Sequence, residues 1–521
     1  NFIFQTANAL LTALLVNRLL LSLYSRSSMK TASLPDPDSL RWAPILAGLL
    51  FAVHPIHTES VNWVEGRTDL ICTTFFLLSF ISYVEFRTKK SLGALFACLV
   101  FAVFAMAAKE PAVTLPVVIF AYEFVFSENR RAVLFAAIAA LLLSAVIVFA
   151  RRHILYEILI PHLEAGSLKE FLRLSVLSYG FYLKKIFVPY PLNFFIGDLP
   201  ENLPFFVFSI VSLAGLIVMP FILRQKAPFT SFMILWWLVT ILPHLLVLPG
   251  GTSVNPVAER YIYLPSVAFC GVVALMLTCL KPRALRWGIS SAVLVIFLAM
   301  TIHRTWVWTD EERLWKDTVE KSPEFGLPYQ WYGNALQAKG KSQEAIEVWK
   351  KGLECPYQTG RRILSNPVDD QFRKCLLHTS IAGTYLANNR DEDAKKHCII
   401  AMQFFPHYNT IFFLGIIEHR AAEKAEDPLV RRIHLKFAYD FFSTAVKMNP
   451  SHQEGIYSLA LAEKDLGMDL EAMDHFKMAL ELDPRTPVAV QAAIQLERLR
   501  ARAYTPVVKP KDNSVRQNQS R

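Results

Sequence analysis

The sequence is poor in charged residues and has no paired cysteines. Only 19% of its 521 residues are charged, whereas 53% are hydrophobic, and this balance excludes an ordinary soluble protein of several domains. The seven cysteines show no paired spacing, so neither a disulfide framework nor a zinc site is indicated. The first apolar run has no basic segment before it and no small-residue cleavage site after it, so no cleavable signal peptide is predicted.

Apolar runs of the kind that cross about 30 Å of hydrocarbon recur through the first 300 residues. They predict a polytopic membrane protein with candidate spans at residues 1–23, 42–53, 68–86, 91–108, 111–126, 131–150, 204–223, 229–248, 262–280 and 284–303. The segment 168–188 contains Lys169, Arg173, Lys184 and Lys185, and we interpret it as an interfacial or re-entrant amphipathic helix.

The formal net charge of +10 does not indicate a nucleic-acid partner, because the basic residues lie mainly at junctions between apolar runs. They occupy alternate junctions, as the positive-inside rule expects for cytoplasmic loops. The other junctions then face the opposite side. These are 54–67, 109–111, 151–203, 249–261 and everything after about residue 304.

After residue 304 the apolar runs give way to amphipathic helices with an internal repeat. Each of four segments has a small residue, a larger one four positions later and a small one three positions further, and then closes on a proline, which is typical of tetratricopeptide repeats. The segments are Ala345, Trp349, Gly352 and Pro356; Ala394, Cys398, Ala401 and Pro406; Ala438, Phe442, Ala445 and Pro450; Ala472, Phe476, Ala479 and Pro484. Insertions, notably residues 420–436, lengthen the earlier intervals.

The predicted fold is therefore all-α, with a membrane helix bundle followed by a tetratricopeptide-repeat solenoid. We predict a multi-pass membrane domain over 1–303, a repeat domain over 304–501 and a disordered basic tail over 502–521.

The first polar cluster, at residues 51–70, allows three interpretations. His54, His57 and Glu59 could transfer a proton or hold a phosphate-bearing ligand. His54 and His57 also have a possible metal-ligand spacing, although no third ligand of strong precedent follows. Alternatively, the segment is a solvated loop in which Glu65 and Arg67 pair with each other.

Two further polar motifs lie beside predicted spans. Lys109 and Glu110 are either functional or an ordinary charged cap, and Glu259 with Arg260 is either a phosphate clamp or a local salt bridge. The predicted topology puts both motifs on the same side of the membrane as the 51–70 cluster and the repeats, which indicates a single cavity on that side.

The sequence contains the segments "HPIHTESVNWVEGRTDL", "AKEPAVTLP" and "AERYIYLPS", which are followed by tetratricopeptide repeats. In these segments the sequence resembles the transmembrane and tetratricopeptide-repeat protein O-mannosyltransferases, and in particular bacterial relatives of that family. The resemblance implies a GT-C glycosyltransferase fold. It also implies transfer of a sugar from a polyprenyl-phosphate donor, dolichyl-phosphate mannose in eukaryotic members, to a Ser/Thr hydroxyl on the luminal or periplasmic side. The repeats would then bind the acceptor protein, the donor would be a substrate, and no metal or covalent cofactor is expected.

The same resemblance assigns the candidate site residues. A carboxylate would deprotonate the acceptor hydroxyl, and cationic groups would stabilise the departing lipid phosphate. The catalytic candidates are His54, His57, Glu59, Asp69 and Glu110, and the donor-phosphate candidates are Arg67, Lys109, Glu259 and Arg260.

One departure from the family pattern is expected to affect catalysis. Members carry acidic residues in the first non-cytoplasmic loop, whereas this sequence opens at what resembles the second helix, so those acids are expected to be absent. Two alternatives also stay open: a lipid-linked oligosaccharide ligase or polymerase, and a non-enzymatic membrane-anchored repeat scaffold.

Overall fold

The computed structural model describes residues 1–24, 37–127, 168–246, 257–357 and 367–504, with a few single positions between 129 and 138. These residues form 21 α-helices, and no β-strand occurs in the described part of the chain. The all-α prediction is confirmed. The chain divides into two compact units, one of residues 1–332 and 355–365 and the other of residues 333–354 and 366–521.

The first unit is a bundle of apolar helices. Its helices are α1 (Phe2–Tyr24), α2 (Pro37–Val53), α3 (Thr58–Asn62), α4 (Arg67–Lys89), α5 (Leu92–Ala108), α6 (Leu115–Phe126), α7 (Leu168–Phe187), α8 (Leu203–Leu223), α9 (Pro228–Leu245), α10 (Ser266–Thr278), α11 (Arg283–Trp308) and α12 (Glu311–Lys321). Among the described residues, α1, α4, α8, α9 and α11 are long and apolar enough to cross a membrane.

Two of the remaining apolar runs give shorter helices than the sequence predicts. The run at 111–126 is divided into a 3-10 turn at Glu110–Thr114 and the twelve-residue α6, because a proline is the second residue of each element. The run at 262–280 contains only the thirteen-residue α10, which follows a 3-10 turn at Glu259–Ile262. The runs at 42–53 and 91–108 fall in helices of 17 residues, and the run at 131–150 lies outside the described residues.

The segment predicted as an amphipathic helix is helical as α7, and one side of it is buried in the bundle. Leu177, Tyr179 and Tyr182 are fully buried, whereas Leu168 and Leu172 are more than half exposed. Gly180 allows α8 to approach closely, because a Cβ atom at this position would overlap the side chain of Ser209. The polar end of α7, which carries Lys185, is thereby fixed inside the bundle.

Helical hairpins follow α12. Residues 326–332 of the first hairpin belong to the first unit, and the rest of the hairpins belong to the second unit. The hairpins are α13 (Gly326–Ala338) with α14 (Ser342–Glu354), α15 (Pro367–Ala387) with α16 (Asp391–Phe404), α17 (Tyr408–Lys424) with α18 (Pro428–Met448), and α19 (Gln453–Leu466) with α20 (Asp469–Leu482), followed by α21 (Pro487–Tyr504). Although the sequence predicts disorder from residue 502, α21 continues through Tyr504, and 505–521 lie outside the described residues.

The predicted repeat positions form the interfaces of these hairpins. All twelve small and large positions of the pattern are buried in α14, α16, α18 and α20. A Cβ atom at Gly333 would overlap the indole of Trp349, and one at Gly415 would lie 2.5 Å from the ring of Phe442. Glycine therefore lets the first helix of each of these hairpins receive the aromatic ring of the second, and the predicted repeats are confirmed.

Truncation of one of these rings should lower the unfolding free energy of the repeats. Phe442→Ala removes a ring that is 2% exposed, and the expected cost is about 3–5 kcal/mol of unfolding free energy because the rigid interface cannot close the cavity. Urea unfolding followed by circular dichroism measures this. Phe437→Ala on the same helix is the matched control: its ring is 51% exposed, so we expect a change within about 0.5 kcal/mol. Equal losses for the two variants would contradict the assignment of Phe442 to the interface.

Acidification should weaken the hairpin of α15 and α16. Burial, with the neighbouring His397, lowers the pKa of His378 from 6.5 to about 4. Between these pH values the unfolded chain binds a proton that the native hairpin does not, so its stability falls as the pH falls through this window. Hydrogen exchange of α15 and α16 as a function of pH measures this, and His378→Gln should flatten the dependence.

His475 is the control of opposite sign for this pH dependence. Its Nδ1 atom donates a hydrogen bond to Glu463 at 2.8 Å, and this bond raises the pKa of the imidazole. Its contribution is therefore present at acidic pH and is lost as the pH rises through the native pKa. His475→Gln should destabilise α19 and α20 mainly in acid, and the same sign for both variants would contradict the two assignments.

Candidate active site in the helical bundle

The segment that carries the first polar cluster is buried. A 3-10 turn at Pro55–His57 begins with a proline and leads directly into α3, so the chain turns inward immediately after α2. His54, His57 and Glu59 are at most 2% exposed. The solvated-loop interpretation is therefore wrong for this segment, although the side chains of Glu65 and Arg67 are exposed.

Both imidazoles of the cluster use both ring nitrogens. The Nδ1 atom of His54 accepts a hydrogen bond from the backbone N–H of Ile56 at 3.3 Å, so its Nε2–H donates to the Ile186 carbonyl at 3.1 Å. The Nδ1–H of His57 donates to the Phe51 carbonyl at 2.8 Å, and its Nε2 lies 2.8 Å from the Ser266 hydroxyl. Burial lowers the pKa of both rings, that of His54 to about 4, and keeps them neutral.

Glu59 forms a buried ion pair with Arg260. One guanidinium nitrogen of Arg260 donates to Oε1, and the backbone N–H of Arg260 donates to Oε2 at 3.0 Å. The guanidinium carbon lies 4.9 Å from the ring centroids of both Trp63 and Tyr261, within cation–π range. The predicted local salt bridge between Glu259 and Arg260 is therefore wrong: Arg260 bonds a residue that is distant in sequence.

Glu259 pairs with a different helix. Its Oε1 accepts a hydrogen bond from the backbone N–H of Asn193 at 2.9 Å and lies 3.4 Å from the ammonium of Lys185 on α7. Burial raises the pKa of the Glu259 carboxyl, and the nearby positive charges of Lys185 and Arg304 oppose that rise. Adjacent residues of one 3-10 turn are thus held by two separate parts of the bundle.

A third buried pair joins Asp69 and Lys109. The ammonium of Lys109 lies 2.7 Å from Oδ1 of Asp69, so Lys109 is more than a helix cap. The second oxygen of Asp69, Oδ2, is buried and has no hydrogen-bond partner among the described residues. Glu110, the next residue, is exposed.

The three pairs form one cluster of charge. Asp69 interacts electrostatically with both Arg260 and Glu59, and Glu259 also interacts with Glu59. His244 at the end of α9 stacks on Tyr261 with ring centroids 4.7 Å apart. The structure therefore brings together five of the nine predicted residues in one set of ion pairs and electrostatic interactions: Glu59, Asp69, Lys109, Glu259 and Arg260.

Sequence reasoning missed a second row of charges beside this cluster. Arg304 on α11 donates to Asp317 at 2.6 Å, and Asp317 also pairs with Lys321 at 2.6 Å. The Nε and Nη2 atoms of Arg304 are buried without a partner in the part of the chain that the structure describes. The available sequence signal was the presence of Lys185 and Arg304 within apolar helices, where a charge requires a partner.

A cavity of about 520 Å3 is lined by the His54–His57 turn and by helices α1, α2, α3 and α11. Its walls are mainly apolar. Its polar lining residues include Gln5, His54, His57, Asn62 and Thr305. Among the described residues, no three His, Cys, Asp or Glu side chains converge to hold a metal ion.

Comparison with known proteins gives relatives along most of the chain, although no family model matches. The chain is 22% identical to the protein O-mannosyl-transferase TMTC3 of Mus musculus over 507 residues, covering 84% of this chain and 51% of that protein. It is 25% identical to Tmtc3 of Drosophila melanogaster over 471 residues, covering 75% and 48%. A stretch of 53 residues, 10% of this chain and 7% of the relative, is 58% identical to TMTC4 of Homo sapiens. The resemblance to this family is confirmed.

The chain spans about half the length of the TMTC3 relatives that it matches. Solved structures give weaker matches. Yeast Tom70 is 12% identical with a TM-score of 0.26, covering 84% of this chain and 93% of that one. Cut9 with Hcn1 is 15% identical with a TM-score of 0.30, covering 88% and 84%. At these values the assignment of the repeats depends on the helices described above.

Proposed function

We propose that this chain is the membrane and repeat part of a glycosyltransferase that moves a sugar, mannose or a close analogue, from a polyprenyl-phosphate to a Ser/Thr hydroxyl of a protein. The observation that carries the proposal is the cluster of three buried ion pairs between residues distant in sequence. Structural stability alone does not account for it, because desolvation makes buried pairs costly. The names of the TMTC relatives support the reaction type.

Within the cluster, Asp69 has the geometry of a general base. One carboxylate oxygen is held by Lys109, and the other is free to accept a proton from an acceptor hydroxyl. As the glycosidic bond of the donor breaks, negative charge develops on the departing lipid phosphate, and the cations of Lys109 and Arg260 are suited to stabilise it.

The other candidates take supporting roles in this proposal. Glu59 and Glu259 orient cationic side chains, while His54 and His57, whose ring nitrogens are all bonded, position the turn that leads into α3 and Glu59. Arg67 and Glu110 are exposed next to the Asp69–Lys109 pair, where a ligand from solvent can reach them. The repeats would recruit the acceptor on the non-cytoplasmic side.

Donor choice tests this proposal. The protein is reconstituted in vesicles with a Ser/Thr peptide and either a polyprenyl-phosphate monosaccharide or a polyprenyl-pyrophosphate oligosaccharide, and glycopeptide is measured by mass spectrometry. We expect transfer from the monosaccharide phosphate only. Transfer from the pyrophosphate alone would indicate an oligosaccharide ligase. Peptide binding without transfer from either donor would indicate a scaffold.

A further inference from the structure

The hairpin of α17 and α18 is longer than the other repeat hairpins at one end. Helix α18 begins ten residues before Ala438, whereas α14, α16 and α20 each begin three residues before their equivalent alanine. The difference is about two helical turns. These turns, residues 428–434, come from the insertion that lengthens this interval of the repeat.

The outer face of this extension is apolar and uncovered. Leu429 is 67% exposed, Val430 41%, Ile433 47% and Phe437 51%. Their spacing puts all four side chains within an arc of about 100° on the helix, opposite the buried residue Leu435. We refer to Leu429, Val430, Ile433 and Phe437 as the tip face.

Basic side chains accompany the tip face. Arg432 is exposed about 60° from Leu429 around the helix and has no acidic partner among the described residues. Lys436 flanks the same edge of the face and pairs with Asp440 at 3.1 Å, whereas Arg431 lies on the opposite side of the helix. An exposed apolar arc flanked by basic side chains is the composition of a helix that lies in the interface of a lipid bilayer.

Ion pairs hold the extension in place. The carboxylate of Glu418 on α17 pairs with the ammonium of Lys395 at 2.8 Å and with the imidazole of His434 at 2.6 Å. At the end of α17, Arg420 and Lys424 both pair with Asp391 on α16, at 3.0 and 2.8 Å. The tip face is therefore presented on an ordered hairpin that is tied to the preceding repeat.

We propose that the tip face docks on the surface of a lipid bilayer that contains anionic headgroups. Its apolar side chains would enter the boundary between headgroups and acyl chains, while Arg432 and Lys436 contact headgroup phosphates or carboxylates. The charge of the face is complementary to such a surface.

The size of the face and the composition of the chain favour lipid over a protein partner. Four side chains expose a few hundred Å2 of apolar surface, whereas a stable protein interface buries about 800 Å2 on each partner. The described part of the same chain also has five helices that are long and apolar enough to cross a membrane. The repeats are covalently linked to these helices, so the effective concentration of bilayer surface is high. Weak binding of the tip face to that surface is then sufficient.

Site-specific quenching tests the proposal on the whole protein. A fluorophore is attached to Ile433→Cys in a background whose native cysteines are serine, and the protein is reconstituted in phosphatidylcholine vesicles with or without phosphatidylserine. We expect quenching by lipids brominated on the acyl chains, protection from aqueous iodide, and a stronger effect with phosphatidylserine. Arg432→Gln should lower the ratio of docked to free tip by about fivefold, whereas Arg431→Gln, on the opposite side of the helix, should leave it unchanged.

Met478→Cys, in α20, provides the matched label, since Met478 is 38% exposed on another hairpin. It should be open to iodide and insensitive to brominated lipid. Ile433 and Met478 are exposed, so neither label should change the helix content of the cysteine-free background, as measured by circular dichroism. Equal iodide access at positions 433 and 478 would overturn the proposal. Iodide protection at 433 without lipid quenching would also overturn it and would indicate a protein partner or a second copy.

Discussion

Replacing Glu59 with alanine should destabilise the bundle by about 3–5 kcal/mol, because it leaves the guanidinium of Arg260 buried without a counter-ion. Glu59 is 1% exposed and accepts two hydrogen bonds from Arg260, one of them from the backbone. Arg260→Ala should cost a similar amount, since it isolates the carboxylate. Thermal unfolding of the protein in detergent, followed by helix content, measures both changes.

A double-mutant cycle provides the control for this pair. Glu59→Leu combined with Arg260→Met removes both charges and keeps most of the volume, so it should cost much less than either alanine variant. The exposed pair of Glu85 and Lys89 on α4 is the matched comparison, and Glu85→Ala there should cost about 0.5 kcal/mol. Additive losses in the cycle would show that Glu59 and Arg260 do not act as a pair.

Asp69→Asn should leave the protein folded and lower kcat by about 10²–10⁴-fold. The amide oxygen of asparagine can still accept the hydrogen bond from Lys109, so the contact at 2.7 Å is preserved. Asparagine cannot take a proton from an acceptor hydroxyl, so the loss should appear in kcat with little change in the KM of the donor. Transfer of labelled sugar to a Ser/Thr peptide measures both constants.

Glu65→Gln is the matched control for Asp69→Asn. Glu65 is an exposed carboxylate four residues before Asp69, so the Glu65→Gln variant should retain full activity. A loss in Glu65→Gln equal to that in Asp69→Asn would indicate a general effect of charge on this loop. Full activity of Asp69→Asn would exclude Asp69 as the base and leave Glu59 as the remaining buried carboxylate of the same loop.

The repeat fold could be predicted from sequence because its pattern is local. Ala438, Phe442 and Ala445 lie on one face of one helix, so their spacing alone fixes which side is buried. The short helices α6 and α10 could not be predicted with the same accuracy, because hydropathy does not register the prolines and 3-10 turns that begin them.

The sequence predicted which residues belong to the candidate site, but it did not predict which of them form ion pairs with each other. Sequence proximity suggested Glu259 with Arg260, whereas Arg260 pairs with Glu59 and Glu259 with Lys185. Such pairing depends on how distant helices pack, and nothing in the local sequence reports it. The two histidines were predicted as site residues because the sequence does not show their hydrogen-bond partners. In the structure their rings donate to the carbonyl groups of Ile186 and Phe51.

In the membrane topology that we propose, the ion pairs also constrain how often the chain crosses the bilayer. Two side chains at the ends of membrane-crossing helices can bond only when both ends are on the same side, which requires an even number of crossings between them. Lys185 and Glu259 lie on either side of α8 and α9, both of which are long and apolar enough to cross a membrane. Adding or removing a single crossing between Glu59 and Arg260 would separate these partners across the membrane. Pairing of the buried charges therefore requires correct membrane insertion, and a chain with an inverted or skipped helix would leave these charges unpaired.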